Sequence, residues 1–171
     1  MAIVEFDERS MIKENLLNIL MYVFENYLER NAIAKKENSV IVSEMLSAGF
    51  EVKEIDRALK WFTDLNDIKS SFNLAKDALS KKAFRAYTEY EMNKITSEAR
   101  SFLMSLEQSG VIDPISREIV IDRAMALDDP LIDEPEIKWV SLMVLFSQAD
   151  KKAELMMLED LVLFSDYSSE H

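Results

Sequence analysis

Only two glycines, Gly49 and Gly110, and three prolines interrupt these 171 residues. Sheets need frequent tight turns, and tight turns draw on Gly, Pro and Asn, so a chain this poor in breakers reads as long helices. The spacing predicts a first helix over residues 10–29. Its apolar residues, including Ile12, Leu16, Ile19, Leu20, Val23, Phe24 and Tyr27, cover more than one stripe, as in a helix enclosed by others. After a polar connection, Ser39 reads as the N-cap of a short helix through residue 48, which Gly49 ends by entering the left-handed conformation. A third helix is expected over 52–65, with Ile55, Ala58, Leu59, Phe62 and Leu65 inward at spacings of three and four.

Ser70, Ser71 and Asn73 suggest a loop over 66–87, and residues 84–88 alternate as a short strand would. Thr88 with Glu91 is a capping-box pattern opening a helix to Ser109, which Gly110 closes. Asp113 before Pro114 starts the next helix, to about 127. A loop over 128–134 precedes Pro135 and a strongly apolar helix through 146, containing Ile137, Trp139, Val140, Leu142, Met143 and Leu145. A last helix is expected over 151–164, before a polar tail.

The expected fold is all-α: a helical bundle with an N-terminal helix-turn-helix or winged-helix-like unit, a short β-hairpin near 70–88, and an acidic C-terminal helical unit. Its parts are an extension over 1–15, the helix-turn-helix-like unit over 16–88, the acidic unit over 89–165 and a tail over 166–171. The two units are expected to share a core on the helices of 16–28 and 137–146. A chain of this length buries roughly two-thirds of its unfolded surface, so no metal or disulfide staple is needed.

Composition then removes chemistry. Histidine occurs once, at His171, and cysteine never. A Ser/His/Asp site and thiolate metal sites are therefore excluded, and two isolated glycines make no phosphate-cradling loop. Among carboxylates, Glu107, Glu118 and Asp122 are candidates for a catalytic group, but Arg117 and Arg123 flank Glu118 and Asp122, and they read as surface charge. Asp128, Asp129, Asp133, Glu134 and Glu136 lack the spacing of a calcium loop and suit the positive end of a helix dipole. No cofactor, metal or catalytic residue is expected. Residues 16–28 hold Asn18, Glu25 and Asn26 and are too short to span a bilayer. The acidic residues Glu5, Asp7, Glu8 and Glu14 do not suit an export signal, so a cytoplasmic protein with no membrane contact is expected.

The charge is lopsided. Residues 87–171 hold 7 Lys/Arg against 18 Asp/Glu and would repel a phosphate backbone, whereas residues 1–86 hold 13 against 14. The candidate interaction surface is therefore the basic stretch 69–85, with Lys69, Lys76, Lys81, Lys82 and Arg85, joined by Arg57 and Lys60 of the third helix. Phe72, Phe84 and Tyr87 would add stacking. The third helix itself carries a net charge of −1 over 51–65, which speaks against groove entry. The Ala48-Gly49-Phe50 turn is similar to that of ubiquitin-associated-type modules, where it belongs to a docking surface; a helix cap and a core phenylalanine are the more common use of these two residue types. Residues 155–164, with Met156 and Met157, are more apolar than one helical face needs, which suits either core packing or a contact with a partner chain or second copy.

Several stretches resemble the bacterial Smg protein family: residues 18–27 (NILMYVFENY), Ala48-Gly49-Phe50 with Glu54-Ile55 and residues 58–61, residues 85–88, the run 100–127, Lys138-Trp139-Val140 and residues 143–146. The resemblance covers roughly 16–165; residues 1–15 extend beyond the family's usual start and 69–82 align loosely. It brings no catalytic residue to carry over. Genes of this family often lie beside a DNA-processing protein and near a topoisomerase-related gene, which implies a link to DNA metabolism. The leading expectation is a non-enzymatic accessory protein acting on a protein partner, with homo-oligomerisation open. The alternative is direct nucleic-acid binding through the helix-turn-helix-like unit and residues 69–85.

Overall fold

The computed structural model describes residues 15–28, 38–74, 85–148 and 152–168. These form eight α-helices and one π-helical turn, and no strand occurs among the described residues. The chain divides into two compact units, Met1–Phe62 and Thr63–His171.

In the first unit, α1 (Leu16–Val23) starts later than the apolar pattern suggests, because Asn15 is extended and its side chain accepts the Leu17 amide at 2.8 Å. Residues 10–14 lie outside the described residues. Phe24–Leu28 continue as a π-helical turn. Helix α2 (Asn38–Ser47) begins before Ser39, which therefore sits inside it rather than at its cap. Its end is a Schellman turn: Gly49 at φ +98° donates to Leu46 O, and Phe50 donates to Met45 O. Met45 and Phe50 are both buried, and Phe50 meets the Tyr22 ring at 4.8 Å. Phe50 is thus a core residue.

Helix α3 (Val52–Leu74) buries Ile55, Ala58, Trp61 and Leu65, with Trp61 taking the inward place expected of Phe62. It also continues to Leu74, into the stretch expected as a loop. Ser70 and Ser71 return their hydroxyls to the Asn66 and Asp67 carbonyls, four residues back, so they satisfy themselves without breaking the helix. Residues 70–74 of the expected hairpin are accordingly helical, residues 85–88 are extended without pairing, and 75–84 lie outside the described residues.

In the second unit, the helix expected from Thr88 to Ser109 is two helices, α4 (Glu89–Lys94) and α5 (Ser97–Gln108). Ile95 leaves helical geometry to form a parallel bridge with Ile132, and Thr96 becomes a second N-cap, accepting from Ala99 N. Gly110, at φ +78°, closes α5 with another Schellman turn over buried Leu106 and Val111. Helix α6 (Pro114–Met125) is capped by Asp113, whose carboxylate accepts the Ser116 amide at 2.7 Å. Helix α7 (Glu134–Phe146) opens on a capping box between Asp133 and Glu136. Helix α8 (Lys152–Ser168) extends past the predicted end at 164, so residues 165–168 of the expected polar tail are helical.

The core of this unit is α7, which buries Ile137, Val140, Ser141, Leu142, Met143, Val144 and Leu145 and packs against α5, α6 and α8. Facing elements supply Leu103 and Leu106, Ile119, Val120, Ile121 and Ala124, and Leu158. Leu103 has no solvent exposure, while its neighbour Met104 is half exposed. Leu103→Ala should therefore lower unfolding free energy by about 2–5 kcal/mol and Met104→Ala by no more than about 0.5, read from urea unfolding midpoints. Gly110→Ala meets no atom within 4 Å of the added Cβ, so its cost is backbone strain alone, about 1–2 kcal/mol.

Candidate interaction surface

Arg85 sits in the extended segment before α4 and is spent on carboxylates. Its two terminal nitrogens donate to the two oxygens of Glu91 at 2.9 and 2.7 Å, and Nε donates to Glu118 at 2.8 Å. Glu118 also receives Arg117, which grips both oxygens of Glu107 at 2.8 Å. The chain Glu91–Arg85–Glu118–Arg117–Glu107 therefore stitches the extended segment to α4, α6 and α5. Tyr87 lies with the Arg85 guanidinium 4.6 Å and the Arg100 guanidinium 5.6 Å from its ring centre, and its burial raises the phenol above its ordinary pKa.

Glu91 works twice. It takes the Thr88 amide in the capping box and takes Arg85, and the hydrogen bonds from Arg85 above all hold its carboxyl down at about 2. A carboxyl depressed in the folded state contributes stability above its unfolded pKa of 4.5 and loses it as pH falls toward 2. Arg85→Ala should cost about 1–3 kcal/mol at pH 7. The gap between this variant and the parent in urea midpoint should narrow between pH 4.5 and 2; a gap constant across that window would contradict the role given to the pair.

The predicted basic surface is distributed as follows. Arg57 and Lys60 are exposed on α3 in the first unit. In the second unit the Lys69 ammonium donates to the Ser147 carbonyl at the end of α7, and Arg85 is held as described. Lys76, Lys81, Lys82 and Phe84 lie outside the described residues.

The carboxylates considered for chemistry also have structural employment. Glu118 serves two arginines, and Asp122 accepts from Arg123 at 2.7 Å. Asp133 and Glu136 cap α7, and Glu134 pairs with Lys138 at 2.7 Å one turn on. Among the described residues no three His, Cys, Asp or Glu side chains gather where they would hold a metal, and no described helix is long and apolar enough to cross a membrane.

One surface feature was not anticipated from the sequence. Lys94–Thr96 is clasped to Ile132–Asp133: the Ile132 amide donates to Lys94 O at 2.7 Å, the Thr96 amide to Ile132 O at 3.0 Å, and the Thr96 hydroxyl to Asp133 at 2.8 Å. The Lys94 ammonium reaches the Met125 and Leu127 carbonyls at the end of α6. Ile95 and Ile132 are fully buried beneath this clasp. On its outside stand Tyr90, 71% exposed, Met92, 48% exposed, and Leu131, 60% exposed. The signal for it was the short spacing of Thr88 and Thr96, two cap-forming residues too close for one long helix between them. In α8, Met156 and Met157 are exposed and Leu158 is buried, while the side chains of residues 161–164 lie outside the described set.

Among the described residues the regular structure is all helical, and Arg85, Glu91, Glu107, Arg117, Glu118, Asp133 and Glu136 are committed to caps and ion pairs. The family model described as a protein of unknown function (DUF494) matches residues 16–171. The chain is 41% identical to a protein Smg homolog of Methylococcus capsulatus over 151 residues, covering 88% of this chain and 94% of that one. It is 40% identical to the Smg homolog of Thioalkalivibrio sulfidiphilus over 90% of this chain and 96% of that one, and 37% identical to that of Coxiella burnetii over 90% and 95%. No solved structure matches it. The chain belongs to the bacterial Smg family.

Proposed function

We propose that this Smg family member is a cytoplasmic, non-enzymatic accessory protein that acts by binding another protein, in a setting linked to DNA processing. The observation that carries the reading is the exposure of the large apolar side chains Tyr90, Met92 and Leu131, on the two segments that meet at the Ile95–Ile132 bridge. Large apolar side chains left in water are a cost that a binding partner removes. The residue inventory supports the same reading, since a chain whose one histidine is His171 and which has no cysteine is poorly supplied for general acid–base or nucleophilic chemistry. The link to DNA processing and the cytoplasmic setting rest on the family resemblance and the absence of cysteine.

A second reading has its own support. Helices α2 and α3 follow one another across the tight Gly49 turn, with Arg57 and Lys60 exposed on the second, and this order supports a reading as a helix-turn-helix-like unit. It would give direct nucleic-acid binding through that helix and residues 69–85. The commitment of Lys69 and Arg85 to protein acceptors weakens it.

Two measurements separate the readings. A tagged chain expressed at its natural level should recover the same protein in stoichiometric amount in repeated purifications, and the two purified components should re-form the complex. Filter binding to duplex DNA should show no affinity that falls steeply between 50 and 200 mM salt. Salt-steep binding lost on replacing Arg57 and Lys60 by Ala would establish the second reading instead.

A further inference from the structure

The chain of ion pairs that begins at Arg85 closes on itself around one aromatic ring. Tyr87, half-buried in the extended segment before α4, has the Arg85 guanidinium 4.6 Å and the Arg100 guanidinium 5.6 Å from its ring centre. Arg85 donates to Glu118, Glu118 also receives Arg117, and Arg117 reaches Glu107 on α5, the helix that carries Arg100. The Tyr87 phenol lies in the field of this ring: Arg85, Arg117 and Arg100 act on it as positive charges and Glu118 as a negative one. Burial raises its pKa against the pull of the arginines, so the hydroxyl keeps its proton and is a donor.

The three arginines differ in what their nitrogens meet. Those of Arg85 go to Glu91, Glu118 and the Ala86 carbonyl, and those of Arg117 to Glu107 and Glu118. Among the described residues the Arg100 guanidinium donates to no acceptor, and the Tyr87 hydroxyl has no hydrogen-bond partner. An aromatic ring is no replacement for an oxygen acceptor, so the N–H groups of Arg100 stay open to water or to an incoming anion. Both groups stand on fixed backbone. The Arg85 ion pairs hold the segment of Tyr87, and Arg100 lies on α5 beside buried Ala99.

We propose that Arg100 and the Tyr87 hydroxyl together receive a single carboxylate, carried by a Glu or Asp side chain or a chain end of another protein. This rests on the interaction role proposed above and names one group that the partner brings. The guanidinium fork matches the two oxygens of a carboxylate, and the phenol supplies a further donor. Met104, half exposed one helical turn after Arg100, offers an apolar contact to the residue beside that carboxylate. Charge decides between the oxyanions. One carboxylate sets one negative charge against Arg100, whereas a phosphate dianion brings a second charge beside Glu118, whose arginines are already paired, and a nucleic-acid strand brings many to a chain of net charge −12.

The test is an NMR titration of the full isotope-labelled chain with a short blocked peptide carrying Glu between two leucines. The same peptide with Gln, and with phosphoserine, in place of Glu is titrated beside it. The Glu peptide should shift the Arg100 side-chain N–H and the Tyr87 ring signals, and the Gln peptide should bind about fivefold or more weakly. Arg100→Ala should lose the same factor, Arg100→Lys should lose part of it because the fork is gone, and Tyr87→Phe should lose about twofold or more. Arg57→Ala, on α3 in the other unit, should leave affinity unchanged. Equal binding of the Gln peptide, tighter binding of the phosphoserine peptide, shifts centred elsewhere, no binding, or full affinity in both Arg100 variants would overturn the proposal. A natural partner that co-purifies equally with the wild-type chain and with both Arg100 variants would leave the interaction role standing and remove this site from it. Failure of the wild-type chain to recover any partner would remove the role itself.

Discussion

Helix α7 is apolar on nearly its whole circumference, and a helix of that kind has no stable state except inside walls. Six consecutive residues, Val140–Leu145, are buried, Ser141 among them, so no face remains for water. The rest of the second unit is arranged to supply those walls: α5, α6 and α8 each pack on α7. Enclosure solves the side chains but leaves the helix ends, whose free amides and carbonyls also need partners. At the start Asp133 and Glu136 provide them. At the finish the Ser147 carbonyl takes Lys69, a cation placed at the negative end of the helix dipole.

The same solution recurs at α6, whose terminal carbonyls take Lys94. Lysines that look in sequence like a solvated or phosphate-seeking set are in part structural caps reaching across from other elements. The arginines follow the same rule. Arg85 presents a planar fork to the two oxygens of Glu91, Arg117 spreads its nitrogens over Glu107 and Glu118, and a lysine would match neither geometry; together they join four segments through one chain of charge. What fixes the extended segment 85–88 is consequently electrostatic and local, while what fixes the helices is apolar and shared.

Much of the helical content was legible because its signals are local. Gly49, Gly110, Asp113-Pro114 and Thr88/Glu91 each mark an end by a backbone requirement that their own neighbours satisfy, and each sits where the structure places a terminus. The failures have separate causes, one distant along the chain and one local. Ile95 breaks the helix because Ile132, far along the chain, offers it a bridge, and no pattern around Ile95 announces that partner. Ser70 and Ser71 read as loop by composition, but in α3 their hydroxyls fold back onto the preceding turn. Of the candidate site, the location of charge was readable and its use was not. Whether Arg85 faces solvent or Glu91 depends on the capping box that happens to orient that carboxylate, and whether Lys69 is available depends on where α7 ends.

The clasp at Ile95 and Ile132 therefore has two consequences that cannot be separated. It breaks one long helix into α4 and α5, and in doing so it lets α5 turn Ala99, Leu103 and Leu106 into the core while α4 turns nothing inward. A continuous helix on the α5 axis would put Met92, seven residues before Ala99, on the same stripe and Tyr90 on the opposite side. Divided, the chain keeps them outside on a short segment whose two ends are tied by hydrogen bonds and ion pairs. Side chains presented from backbone already fixed lose less freedom on meeting a partner than side chains on a loop do. The exposure of these side chains is thus accompanied by polar contacts at both ends of the short segment that carries them.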